Sequence, residues 1–546
     1  MQIYEIYFRL STSDHKLCEL LGSLLLLYAE THYSFKGIYS RLKKDEPEII
    51  ADLPHRLKPG AALPLLLLIK DADRYPILLH SVQVELSCGA VRQNLNFNFG
   101  ADIDKNLWEN ILEITPDKHF HGPCQADVTI HFTRNGKRRV VKNDNYAGTS
   151  HTLLKVYIAE EPLPKTSGWY FGEFHCHSSY TSDQVEFGAP LEATARLAQS
   201  MGLSFFCATD HSYDLDDEPT NYLKNDPQLT KWKALQEEIA HFNSNNPNFV
   251  IVPGEEVSAG NHKNRNVHFL ILNHPEFIPG AGDSAEKWLR TQPDLSISEI
   301  LNRINSGAVA FAAHPGTRPP FLEWLLVRRG KWELNDCSDP RLRGLQIWNG
   351  SENGLQEGKQ LWIKLLLQGK RIFISGGNDA HGNFNRFRQI GFPFFTMREH
   401  HEHLFGQVRT GVFMENGLAL DAIVEACKHG RMIVTNGPFV NMWVKNENDE
   451  IARLGDSISG NEFQIAINCL SSPEFGPLKE LRIYQGDLIT RQEKLLKLET
   501  RFPSSFRLYE EMTMDKEPNP IYIRAELVSE REGKRFLCLT NPIWIT

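Results

Sequence analysis

Apolar and polar positions change rhythm twice along the chain. Up to about residue 165, short apolar or alternating runs (LPLLLLI, SVQVELS, ADVTIHF, TLLKVYIA) are broken by turn-rich pieces such as LKPGAA and TRNGKRR. Runs of this kind read as strands, so residues 1–165 are expected to form an N-terminal β-rich, sandwich-like domain. Between about 166 and 435 the pattern becomes strand-like runs alternating with helical ones. GEFHCH precedes LEATARLAQSMG, LSFFCATDH precedes TKWKALQEEIAHF, and NVHFLIL precedes SISEILNRINSG. GLQIWNG, LQEGKQLWIKLLLQGK, RIFISGGNDAH and LALDAIVEACKHG continue the series. Alternation at this spacing predicts an α/β domain built on a parallel sheet or barrel. After TNGPF, the runs FQIAINCL, KELRIYQG and PIYIRAEL predict a second β-rich, sandwich-like domain over 436–546. There is no internal repeat and no low-complexity segment.

Composition adds bounds. A chain of 546 residues exceeds one ordinary core and suggests roughly two to four domains. With 41% hydrophobic and 23% charged residues it has the make-up of a folded globular protein. The net charge of −9 supplies no global attraction to nucleic acid or to an anionic membrane, so the expected partner is a small molecule. Nine scattered cysteines without a CxxC pair read as reduced thiols of a cytoplasmic protein rather than a disulfide framework. MQIYEIYFRL lacks the pattern of a signal peptide. The apolar stretches CELLGSLLLLYA and ALPLLLLI are too short to span a bilayer.

The chemistry gathers in the central region. In GEFHCHSSYTSD, His175 and His177 are two apart, and on a strand residues i and i+2 point to one side. A lone His-x-His pair is more often hydrogen-bonded structure than a metal site, so partners elsewhere decide. They exist at the ends of the other strand-like runs: Asp210 and His211, Glu255 and Glu256, His268, His314, Asp379 and His381. In a βα barrel such ends ring one mouth. Imidazoles mixed with carboxylates suit zinc, manganese or iron, and several carboxylates suggest more than one ion.

The segments HCHSSYTSD, ATDHS, PGEEVS, AAHPG and GGNDAHG, in this order over residues 170–385, resemble the motifs of the PHP family, named for polymerase and histidinol phosphatase. TNGPF and the flanking β-rich parts resemble its CehA/McbA-like branch. The resemblance implies a PHP-type distorted (βα)7 barrel with two or three divalent ions, acting on phosphoesters or, in some members, other esters and carbamates. It implies His175, His177, Asp379 and Glu256 as one ligand set, with Glu256 bridging to a second ion held by His268 and His314. Asp183, His211 and His381 match a third set. Glu256 is preferred over Glu255 because the family pattern reads Gly, any residue, Glu, and Gly254 fixes that register. Two positions depart from the family: Glu173 where Asp is usual, and Asn378 where Ser is common.

The expected activity is hydrolysis by a metal-bound hydroxide, most simply of a phosphoester. Glu256, Asp210 and His381 are the catalytic candidates, with Asp210 read as a supporting carboxylate that orients an imidazole. Arg265, Arg318 and Arg386, with Arg388, are candidates to grip an anionic substrate. The HHEH cluster at 400–403 reads as a solvated helix face. Hydrolysis of carboxylic esters or carbamates by the same centre is the alternative enzyme, and a non-catalytic, metal-stabilised binding module is the alternative of another class.

Overall fold

The computed structural model describes residues 33–35, 46–145, 152–181, 188–219, 221–282, 291–319, 324–325, 328–386, 389–391, 396–399 and 403–546. Asp183, Arg388, His400, His401 and Glu402 lie outside them, as do the first residues of the chain.

The N-terminal part is a two-sheet β structure. Strands Glu48–Asp52, Leu63–Lys70 and Leu107–Ile114 form one antiparallel sheet, and a second sheet is centred on Ile77–Cys88 and Gly122–Arg134. LPLLLLIK is apolar on both sides for a reason that period two explains. Leu65, Leu67 and Ile69 join the sandwich core, whereas Leu66 and Leu68 pack with Leu191 and Ala195 of the central part. Cys88 and Cys124 pair as a disulfide between adjacent strands, which corrects the reading of all cysteines as free thiols. Among the described residues no helix is long and apolar enough to cross a membrane.

The central part runs β1 (Trp169–His177), α1 (Leu191–Met201), β2 (Phe205–Ala208), α2 (Ser212–Leu215), α3 (Thr230–Asn245), β3 (Val250–Gly260), β4 (Asn266–Leu272) and α4 (Ile297–Arg303). It continues with β5 (Val309–Ala312), β6 (Leu342–Asn349), α5 (Leu355–Leu367), β7 (Phe373–Gly377), β8 (Arg409–Phe413), α6 (Leu420–His429) and β9 (Met432–Thr435). The expected α/β fold, a helix-rich (βα)7 barrel, is corrected here. Strands dominate, and the described residues hold six α-helices in all. β3 and β4 form a hairpin, β4 and β5 are also antiparallel, and no helix separates β7 from β8 among the described residues. Runs buried on both faces give no periodic sign of their pairing direction, so NFVIVPGEEVS and NVHFLIL read equally well as parallel strands. The sheet is mixed and turns back on itself: β1 pairs with β2 and β8, and the two residues after the β7 turn, Ala380 and His381, pair with Cys176 and His177.

The C-terminal part is not a detached sandwich. One sheet, around Phe439–Asn446, Glu462–Leu470 and Arg507–Asp515, stands separately. The other, around Leu478–Asp487, Ile521–Arg531 and Lys534–Thr540, continues the central sheet through pairing with β9.

Buried polar contacts tie the three parts together. The Arg56 guanidinium donates to the Met201 carbonyl at 2.6 Å and to Glu474 at 2.9 Å. Beside it, burial together with the Arg409 and Arg56 charges pushes the His55 imidazole from its ordinary 6.5 down to about 3. A depressed histidine pKa means that the fold excludes the proton. The stability is therefore complete above pH 6.5 and is lost as pH falls toward 3, about 2 kcal/mol of it by pH 5. His55→Gln should flatten the fall in urea midpoint between about pH 7 and pH 5. A wild-type curve already as flat as the variant's contradicts this assignment.

Candidate metal centre

The strand ends deliver their polar side chains to one buried place. His175, His211, Glu256, Asp379 and His381 have no exposed surface, and His177 and His268 almost none. Their donor atoms form three overlapping groups: His175, His177, Glu256 and Asp379; Glu256, His268 and His314; and His177, His211 and His381. Within each group the donor atoms lie within 4.8 Å of one another.

Glu256 is the hub. Its Oε2 lies 3.1 Å from His175 Nε2, 3.4 Å from His177 Nε2 and 3.3 Å from His211 Nδ1. Its Oε1 lies 2.7 Å from His268 Nδ1 and 3.2 Å from His314 Nε2. Asp379 Oδ1 sits 2.9 Å from His177 Nε2 and 3.1 Å from His175 Nε2. The rings of His177 and His381 stack at 4.2 Å, and His211 lies 4.3 Å from His177.

The electrostatics follow from this crowding. Burial would raise the Glu256 carboxyl, but the His175 and His268 imidazoles hold it well below the usual range. Burial lowers His175 less than Asp379 and Glu256 raise it, leaving it at about 9. His314 goes the other way, to about 4, because burial dominates there.

These residues fit divalent ions on the chemistry of the donor set and on its geometry. Although His175 Nε2 and Glu256 Oε2 are only 3.1 Å apart, neither makes a well-directed hydrogen bond. Converging nitrogen and oxygen lone pairs are what a cation coordinates.

The backbone is bent to make the convergence. Asp379 has φ +54° and His314 φ +31°, left-handed values uncommon outside glycine and enriched at functional sites. Gly377 must be glycine, since a Cβ there would lie 2.7 Å from His175 N. Glu173 accepts hydrogen bonds from His175 N, Asn378 N and Gly406 N, and burial pushes its carboxyl up to about 7. Glu173 and Asn378, the two positions that differ from the motifs the chain resembles, therefore meet each other, Asn378 Nδ2 also donating to Glu173.

Other sequence expectations land differently. Asp210 serves the backbone rather than an imidazole: it accepts from Ser178 N and Oγ at 2.8 Å and from Thr181 N at 3.0 Å, fixing the turn after His177. The imidazole-orienting part is taken by Gln346, whose Oε1 accepts from His175 Nδ1 at 2.9 Å. Gln346 also donates to Asn349, and Asn349 donates to Asp379 Oδ2 at 3.1 Å. Glu255 points away from the centre and accepts from Trp232 Nε1 at 3.0 Å and Ser212 Oγ at 3.2 Å.

The candidate substrate arginines are engaged elsewhere. Arg386 is buried in an ion pair with Asp144 at 3.1 Å, Arg318 is exposed beside Glu357, and Arg265 lies over the Trp324 ring at 4.3 Å. Arg329, which no motif marked, is the guanidinium at the centre: it is buried and donates to His268 Nε2 at 2.5 Å. A cleft lined by His268, His314, Thr317, Arg329, Lys331 and Trp332 opens there. The only sign of Arg329 in the sequence is the basic run VRRGK, which reads as surface. His403, expected on a solvated face, is buried and bonds to the Asn378 carbonyl at 2.9 Å.

Models of known protein families match no part of the chain, and no curated protein matches it. Among solved structures, a β-glucuronidase from Parabacteroides merdae aligns at TM-score 0.18 and 8% identity, over 94% of this chain and 65% of that one. A putative β-galactosidase from Bacteroides fragilis gives TM-score 0.19 and 8% identity, over 91% and 73%. This chain thus spans just under two thirds of the glucuronidase's length. Scores this low describe no shared fold and carry no inference about activity.

Proposed function

We propose that the chain is a multinuclear metal-dependent hydrolase acting on phosphoesters. The observation that carries the reading is the position of Glu256, whose two carboxylate oxygens serve two different groups of imidazoles. The motif order that resembles the PHP family supports the same reading. His175, His177, Glu256 and Asp379 would hold one ion, Glu256, His268 and His314 a second, and His177, His211 and His381 a third. Zinc, manganese or iron bound there would supply Lewis acidity and lower the pKa of a coordinated water.

The chain's own part is orientation and exclusion of water. Gln346 holds the His175 ring so that Nε2 faces the carboxylates, and Asn349 steadies Asp379. Burial leaves the field at the centre little screened, so positive charge held by these ligands would act strongly on a substrate oxygen. Arg329 and Lys331 line the approach beside His268 and His314, where a phosphoryl group would meet positive charge.

The test is metal analysis of the purified protein, with parallel assays on p-nitrophenyl phosphate, bis(p-nitrophenyl) phosphate, a p-nitrophenyl ester and an aryl carbamate. At least two ions per chain and turnover of a phosphoester are expected. Turnover of the ester or carbamate alone would move the chemistry to a carbonyl. Bound metal with no turnover of any substrate would favour a binding module.

A further inference from the structure

The segment carrying Asp379 and His381 continues as GNFNR without helix or strand, yet Asn383, Phe384 and Arg386 are buried. Buried backbone N–H groups need partners, and an irregular segment cannot supply its own. Here they come from the N-terminal domain. Asp52, nearly without exposed surface, accepts from Phe384 N at 2.9 Å through Oδ2 and from Arg386 N at 2.9 Å through Oδ1. Its own following amide, Leu53 N, adds a third hydrogen bond at 2.8 Å.

Three more contacts from the same domain fall on the same few residues. The Arg386 side chain is paired with Asp144 at 3.1 Å and donates to the Thr152 carbonyl at 2.5 Å. Lys155 N donates to Asn385 Oδ1 at 3.1 Å. A carboxylate withdrawn from water is costly unless several donors reach it, and Asp52 spends that arrangement on main-chain atoms three and five residues beyond His381. His381 itself is held in register opposite His177.

We propose that the N-terminal β domain is a positioning element of the metal centre. Asp52 pins the main chain at 384 and 386, and thereby sets His381 against His177 and His211. Asp52 is a positioning residue, since it acts on the backbone that carries a ligand rather than on the ion. The inference rests on the proposed metal-dependent function only for the identity of what His381 binds.

Asp52→Asn keeps the shape but turns one acceptor into a donor that faces a backbone N–H. Equilibrium dialysis of wild type and variant against Co²⁺, followed by the visible absorption of the bound ion, reads the sites one by one. One ion should bind about 10- to 100-fold more weakly in the variant, as when an outer partner of a ligand is lost, while the others keep their affinity. Hydrogen exchange of 378–386 should rise, with β1 to β6 unchanged.

If Asp52→Asn does not fold, Asn385→Ala removes an outer arm of the same clamp. It should weaken the same ion several-fold with an unaltered melting temperature. Wild-type Co²⁺ affinities and unchanged exchange in a folded variant overturn the inference. A wild type that binds fewer than two ions defeats the proposed function instead, and the exchange measurement then decides the clamp by itself.

Discussion

Glu256→Gln is expected to abolish most turnover, by about 10³-fold, and to weaken two ions at once. The magnitude is that of removing a major electrostatic stabiliser from a water-excluded site. The doubling comes from geometry, because Oε2 faces His175, His177 and His211 while Oε1 faces His268 and His314. Gln keeps the shape and removes the charge that would balance both proposed cations. The neighbouring Glu255→Gln is the control. Burial pushes the Glu255 carboxyl up to about 8, so it is largely protonated at neutral pH and already resembles an amide. It should retain activity within about twofold, an expectation that follows from its position one residue along a strand, on the opposite face. Metal content and steady-state kinetics measured on the same samples check both. A sensitive Glu255 and an indifferent Glu256 would reverse the roles.

The strand ends were legible because period two and the His-x-His spacing place His175 and His177 on one side without any tertiary knowledge. That Glu256 rather than Glu255 faces the imidazoles was legible only through the register of the motifs the chain resembles, since GEE alone leaves both carboxylates open. What surrounds the ligands was not legible. Gln346 and Asn349 sit in GLQIWNG, which reads as an ordinary strand, and their work appears only when β6 lies beside β7. Arginines near a motif in sequence were poor guides, because a loop can leave the site within a few residues. Arg386 is five residues past His381 and belongs to an interdomain ion pair, while Arg329 comes from a segment with no motif. The fold class failed for a related reason. Fully apolar runs do not show whether a neighbour is parallel, and the hairpin of β3 and β4 removed a helix that the alternation required.

Stripping the proposed ions is expected to have the other large effect, because burying these ligands together carries a cost that bound cations would offset. Two carboxylates and six imidazoles share one dry volume, and without ions they must compensate one another by proton binding, as the opposite shifts of His175 and His314 indicate. Prolonged dialysis against a strong chelator should bring phosphoester turnover to background and lower the melting temperature by roughly 10 °C, the scale of losing ligands present at about 10³ times their dissociation constants. Adding back one divalent metal at a time should restore both, and the metals that do so are those the donor set accepts in a productive geometry. The same logic sets the pH dependence of occupancy. A histidine must be neutral to bind a cation, so affinity should fall as pH drops through the imidazole range. Chelated protein with full turnover would remove the metal centre from the reaction. Turnover lost while the melting temperature stays fixed would mean instead that the buried ligand cluster holds together without ions.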